Sequence, residues 1–189
     1  YLETVVPLGF GADFNGAIRA TDYSTSGYVT TWKVGLTWQP INDIRLRGTR
    51  SRDIRAPNLN ELYQSGTSRT NTFSTNASIV GAQYAGATFR ELTTGNLNLR
   101  PEKADSTSFG VVLQPRFLPG FSFSADWFEI KVKDAIDQLY ADDIAQRCQE
   151  GRQEFCNAII VDPTGDRQYF VSASPFNFAQ RTVRGIDYE

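Results

Sequence analysis

The sequence contains no histidine and no methionine, and only two cysteines, Cys148 and Cys156. Without histidine the commonest general base is missing, and with it every Ser-His-Asp or Cys-His arrangement for nucleophilic catalysis. Two cysteines rule out metal-cluster spacing and a dense disulfide scaffold, while a single local bridge stays open. A large net charge is missing too, because 19 basic and 21 acidic residues, interleaved along the chain, leave only -2. No concentrated positive field is therefore expected to draw nucleic acid or an anionic membrane surface, and both partners are set aside. Nothing has the pattern of a signal peptide, and no apolar run approaches the ~18 residues that a membrane helix needs. That excludes a helical membrane protein but not a transmembrane barrel, whose strands are short and half polar.

What is present is a period of two. From Tyr28 to Gln39 one face reads Tyr28, Thr30, Trp32, Val34, Leu36, Trp38 and the other Val29, Thr31, Lys33, Gly35, Thr37, Gln39. Pro40 to Asp43 supplies turn residues, after which Ile44 and Leu46 oppose Arg45 and Arg47, giving an antiparallel hairpin with one polar face. Thr107, Phe109, Val111 and Leu113 alternate with Ser108, Gly110, Val112 and Gln114, and another turn follows at Pro115 to Gly120. Phe121, Phe123, Ala125 and Trp127 continue the alternation, which then slips, since Phe128, Ile130 and Val132 carry the apolar phase onward. The slip predicts a bulge near Trp127 and Phe128. Weaker strands are legible at Leu2 to Leu8, Phe14 to Tyr23 and about Asn177 to Glu189. Trp32, Val34, Leu36, Trp38, Phe109, Val111, Phe121 and Phe123 are expected on one outer face of a single antiparallel sheet.

The connections alternate in length. Those near Gly9, Pro40 and Pro115 are short, whereas two of the three on the opposite rim are very long, about Ile54 to Glu102 and Ala135 to Phe176. Outer-membrane barrels have this asymmetry of short periplasmic turns and long extracellular loops. The first long loop is rich in Ser, Thr, Asn, Gly and Ala and reads as partly mobile. The second contains a short helix, Ala141 to Cys148, with Asp142 and Asp143 suited to its N-terminus. Asn76-Ala77-Ser78 fits a glycosylation sequon to which no weight is given.

Several segments then carry a family resemblance. Arg50-Ser51-Arg52-Asp53-Ile54-Arg55-Ala56-Pro57-Asn58-Leu59-Asn60-Glu61-Leu62-Tyr63 is similar to the "R-x-x-R-A-P-x-x-x-E-L-Y/F" stretch of TonB-dependent receptors. Asn96-Leu97-Asn98-Leu99-Arg100-Pro101-Glu102 resembles that family's "N-x-N-L-K/R-P-E" return, Ala125 to Ile136 its "D-Y/W-F/Y-x-I-x-I-x-x-x-I" strand, and Val183 to Glu189 its "x-x-G-x-E/D" strand opening. The resemblance implies an all-β fold, an antiparallel transmembrane β-barrel section of about seven strands from a larger barrel, with two long extracellular loops. Residues 1–189 are expected to be a partial barrel, with the plug domain and the barrel's C-terminus lying outside them. The implied function is active uptake of a scarce nutrient across the bacterial outer membrane with energy supplied by TonB. Implied partners are outer-membrane lipid, TonB through the plug, and the nutrient at the extracellular loops. No cofactor and no enzymatic activity are implied. A ferric siderophore, a cobalamin-like compound or an oligosaccharide would serve as solute, with a slight lean to the oligosaccharide from the long cysteine-bearing loop. The rivals are a passive porin and a soluble β-sandwich binding module.

Residue by residue, Arg50, Arg52 and Arg55 belong to the only dense basic cluster, together with Arg45 and Arg47. Pairing with lumenal carboxylates is the bland reading of that cluster, and capture of an anionic or sugar ligand the sharper one. Tyr63, Phe73, Tyr84 and Phe89 near the barrel mouth are candidates for stacking on a ligand, with loop packing equally adequate. Glu61 with Glu102, and Asp142 with Asp143, read as solvated or helix-end carboxylates. Calcium on Asp142, Asp143, Asp162 and Asp166 has no recognisable loop spacing behind it, and no metal site is assigned. In a cell-surface loop, Cys148 and Cys156 are expected to form a disulfide.

Overall fold

The strands begin where β-branched and aromatic residues alternate with polar ones, and they stop at Gly, Pro, Asn and Asp. A computed structural model of the protein describes residues 1–25, 27–162 and 168–189. Strands β1 (Leu2–Gly9), β2 (Ala12–Tyr23), β3 (Gly27–Ile41) and β4 (Ile44–Arg55) come first, joined by tight turns. The first long excursion holds α1 (Leu59–Tyr63), β5 (Thr67–Thr72), α2 (Ala77–Val80) and β6 (Thr88–Thr93). The chain returns through β7 (Glu102–Leu113) and β8 (Phe123–Asp137). A second excursion holds α3 (Ala141–Gln149), α4 (Gln153–Cys156), β9 (Ile159–Val161) and β10 (Tyr169–Ser172), and β11 (Phe176–Tyr188) follows.

Among the described residues, seven strands form one sheet in the order β1-β2-β3-β4-β7-β8-β11, sequential neighbours throughout once the excursions are set aside. The sheet is open, because β1 and β11 stand at opposite ends of that order. Both excursions leave and re-enter at one rim, where Arg55 pairs with Glu102 and Lys103 with Lys133. The tight turns at Gly9 and Asn42 lie at the other. The turn after β1 places Gly9 and Gly11 at φ of 83° and 75°, which glycine adopts without steric cost.

Against β7 the expected bulge at Trp127 and Phe128 is absent. The β7–β8 register runs unbroken from Lys103↔Lys133 to Leu113↔Phe123, and the register shifts fall instead between Pro7 and Gly9 and between Trp38 and Ile41. The apolar phase changes side because the environment changes along the strand. Up to Trp127 the outward residues are apolar, and beyond it Glu129, Lys131 and Lys133 occupy that face while Phe128 packs on Gly185 across the other.

The chain divides into two compact units, residues 1–57, 100–135 and 178–189 forming one and residues 58–99 and 136–177 the other. The first unit is a single layer of sheet. The second is a folded body rather than mobile loop. Its sheet has the order β5-β6-β10-β9, and β6 and β10 run parallel, so Phe89 pairs with Tyr169 across the two excursions. Helix α2 packs on α3. Every buried hydrophobic side chain among the described residues lies in this unit, with Phe73, Val80, Ile144 and Val171 fully enclosed. Each such burial contributes about 1.5–3 kcal/mol, which explains how a Ser- and Thr-rich segment can hold a fixed structure.

Candidate functional site: two faces of the sheet and the loop unit

Directly opposed residues in an antiparallel pair share a face, so the register assigns every strand side chain. One face carries Phe14, Leu36, Gly48, Phe109 and Trp127 in one continuous row. Trp32, Val34, Trp38, Val111 and Phe123 share it, as expected, and Leu46 joins them, while Phe121 sits in the turn that precedes β8. Phe109 at 60% and Leu36 at 46% are exposed, and Phe14, Trp32, Val111 and Phe123 are half-buried, none of them fully buried, so they form an apolar surface and not the inside of a sandwich.

The opposite face is polar and built around missing side chains. Arg47, Gly110 and Asp126 form one row across three strands. Because Gly110 has no Cβ, the Arg47 guanidinium passes over β7 and forms a two-pronged ion pair with Asp126. Similarly, the Asn15 side chain lies over Gly35. The Thr49 and Ser108 hydroxyls are 2.7 Å apart, and Arg55 donates from Nε and Nη2 to the two Glu102 oxygens at 2.9 and 2.6 Å. Planar bidentate pairs of this kind fix geometry as well as charge. The face therefore suits a hydrated interior.

The arginine set does not hold together as one site. Arg50 and Arg52 pair with Val34 and Trp32, so they lie on the apolar face, beyond its hydrophobic limit. Arg55, three positions on from Arg52, points to the polar face. The period of two separates them. Arg52 is engaged by Asp105 at 2.7 and 3.1 Å, and Arg50 is exposed.

In the loop unit, Tyr63 is exposed at the end of α1, whereas Phe73 and Tyr84 are 1% and 8% exposed and offer no face to a ligand. Their rings belong to a cluster in which Phe73 lies 4.3 Å from Phe89 and Tyr84 lies 5.1 Å from Tyr169, centroid to centroid. Loop packing accounts for them. Cys148 and Cys156 are joined, tying the end of α3 to α4. Asp142 in the first turn of α3 accepts from the Ser74 backbone N–H, while Asp143 is exposed and Asp162 is buried beside β9. Asp166 lies outside the described residues.

Two of the sequence motifs resolve into local architecture. Asn58 caps α1 by accepting from the Glu61 N–H, and the Glu61 carboxylate accepts from the Asn58 N–H in return. The Asn96 N–H donates to the Glu61 carbonyl and its side chain to the Pro175 carbonyl, so the returning segment is clipped to α1 and to the second excursion. Asn76, the sequon residue, caps α2. Sequence reasoning missed the small mixed sheet. Its one available signal was β-propensity in Thr67 to Thr72 and Thr88 to Thr93, weak in so polar a context.

The whole chain, residues 1–189, matches the family described as TonB dependent receptor-like, beta-barrel. The chain belongs to the TonB-dependent receptors. Solved structures agree on the fold. The siderophore receptor PirA from Acinetobacter baumannii superposes with a TM-score of 0.67 at 16% identity, over 98% of this chain and 24% of that one. PirA from Pseudomonas aeruginosa gives 0.65 at 15%, over 98% and 29%. A mutant of the ferric enterobactin receptor PfeA from Pseudomonas aeruginosa, in complex with enterobactin, gives 0.70 at 16%, over 98% and 23%. The chain thus spans between about a fifth and a third of these receptors' length. One face of the large sheet is thus apolar and the other polar, the latter carrying Arg47, Asp126, Arg55 and Glu102.

Proposed function

We propose that this chain forms part of an outer-membrane receptor that captures a nutrient at its extracellular surface and imports it with energy relayed by TonB. The observation that carries the reading is that both long excursions leave the loop-bearing rim and fold together into one ordered body. A passive channel needs only short constrictions, whereas a capture surface must present fixed side chains, and ordering before binding lowers the entropic cost of holding a ligand. The loop unit's exposed groups, among them Tyr63, Tyr140 and Arg69, are the chain's contribution to that surface in place of Phe73 and Tyr84. No catalytic step enters this reading.

Ferric siderophores are the first solute class to test, since PirA and PfeA carry that class in their names. The disulfide that had pointed toward an oligosaccharide staples two helices and favours no solute. Uptake of iron-59 as ferric enterobactin would be followed in cells expressing the full-length receptor, with and without TonB. Saturable uptake lost without TonB supports the reading; uptake that is linear in concentration and indifferent to TonB would replace it with a porin. A soluble β-sandwich fits poorly with a single-layer sheet whose Phe109 and Leu36 face outward.

A further inference from the structure

The two edges of the small mixed sheet are built differently. Natural edge strands are blunted by shortness, proline, lysine or a bulge, because a bare row of N–H and C=O groups recruits another strand. At one edge β9 is guarded by its length, three residues from Ile159 to Val161. At the other edge β5 runs for six residues, Thr67–Thr72, all of them exposed. Its register with β6 is unbroken from Thr67↔Thr93 to Thr72↔Thr88. The strand contains neither proline nor lysine, and its one charged residue, Arg69, stands opposite Glu91. Thr67, Thr70 and Thr72 are β-branched, which favours an extended backbone.

Parity decides which backbone groups face outward. The Phe73 N–H donates to the Ala87 carbonyl at 3.0 Å. In an antiparallel pair such bonded positions recur at every second residue, so Asn71, Arg69 and Thr67 bond to β6 while the N–H and C=O groups of Ser68, Thr70 and Thr72 point away from it. The Asn71 side chain takes the Thr72 N–H at 2.9 Å. Among the described residues those of Ser68 and Thr70 stay open.

Carboxylates stand at both ends of this edge. Gln138 Nε2 donates at 3.3 Å to the hydroxyl of Thr93, the partner of Thr67, which brings the exposed Asp137 toward one end. Just beyond Thr72, the Ser74 N–H donates to Asp142 at 3.1 Å, and the exposed Asp143 follows at the other end. Over the loop unit as a whole, acidic residues outnumber arginines and lysine is absent.

We propose that β5 docks an extended, basic segment of a peptide or protein partner, which joins the small sheet as a further strand. Backbone pairing with Ser68 and Thr70 sets its register, and lysine or arginine near each end of the segment meets Asp137 and Asp143. Main-chain bonds give such a strand its hold, and side chains select it. The two features are independent of each other, since the open edge calls for a strand and the surrounding charge fixes its sign. This docking needs neither an imported solute nor TonB, so it stands or falls apart from the transport reading.

The full-length receptor, purified in a mild detergent, would be titrated with a fluorescent peptide, acetyl-Lys-Thr-Val-Thr-Val-Lys-amide, and binding followed by anisotropy. Two comparison peptides carry glutamate in place of both lysines, or proline in place of both central residues, which keeps the charge and removes two donors. The lysine peptide is expected to saturate and to bind roughly tenfold more tightly than either. Thr70→Pro removes an outward N–H and no bond to β6, a position where edge strands tolerate proline, and should weaken the lysine peptide by a similar factor. Asp137→Asn combined with Asp143→Asn should weaken it roughly fivefold at low salt. The peptide comparison is made on the unaltered receptor, so it decides the matter even if a variant disturbs the loop unit. No saturable binding of the lysine peptide, or equal affinity for any two of the three peptides, overturns the proposal. A folded Thr70→Pro receptor that binds as the unaltered one does so too, because the pairing would then lie elsewhere.

Discussion

Single residues on the polar face act by what they leave out. Arg47 reaches Asp126 only because Gly110 between them contributes no side chain. Gly110→Val should therefore displace the ion pair and press on two neighbouring strands. A lower thermal midpoint than that of Gly110→Ser, read by heat-modified gel migration of the full-length receptor, is the expected outcome. The loss should exceed that of removing the charges alone, since Arg47 and Asp126 are partly exposed and a double-mutant cycle on such a pair gives about 0.2–1 kcal/mol. Both partners were visible in the sequence. Their meeting was not, because it spans 79 positions and depends on a glycine whose only signal was a gap in an alternating run.

At the scale of strands and loops, alternation made all seven strands of the large sheet legible, and it assigned Trp32, Val34, Leu36 and Trp38 to one face. It misled where the environment changes partway along a strand. The slip at Phe128 predicts a bulge only if one side of the strand is apolar throughout, whereas β8 passes from apolar surroundings into charged ones. The arginines failed as a group for the complementary reason, since density along the chain ignores the parity that separates Arg55 from Arg50 and Arg52. The aromatics Phe73 and Tyr84 failed because burial in a polar segment arises from long-range pairing, which no local pattern reports. The apolar limit makes a prediction of its own. Leu46→Arg, within the apolar zone, should destabilise the barrel by ~2–4 kcal/mol, and Thr107→Arg, in the row beyond, by ~0–1 kcal/mol. Urea unfolding in lipid vesicles measures both, and equal costs would place the limit elsewhere.

In the loop unit, replacing both Cys148 and Cys156 by serine reopens the loop they close. The model-dependent cost is about 2–3 kcal/mol. Limited proteolysis of the full-length receptor should then cut within α3 and α4 while the strands resist, and thiol labelling of the unreduced, unaltered protein should find no free cysteine. Labelling at either position would contradict the bridge.

For the whole molecule the decisive property is the open sheet. Strands β1 and β11 each pair on one side only, and bare N–H and C=O groups in hydrocarbon cost several kcal/mol apiece. Produced alone and without detergent, the 189 residues should sediment as aggregates or edge-paired oligomers, the apolar face adding to the attraction. A clean monomer in sedimentation velocity would mean that the edges had found each other around a filled interior.

The parallel pairing of β6 with β10 also sets an order of events during synthesis. Phe73, Tyr84 and Phe89 are made with the first excursion, but Tyr169 and Val171, which complete their enclosure, are added about eighty residues later. Until then the growing chain carries a half-built aromatic cluster with one open strand edge. The first excursion on its own is thus an unfinished fold waiting for its second half, and its aromatic side chains need shielding until that half arrives.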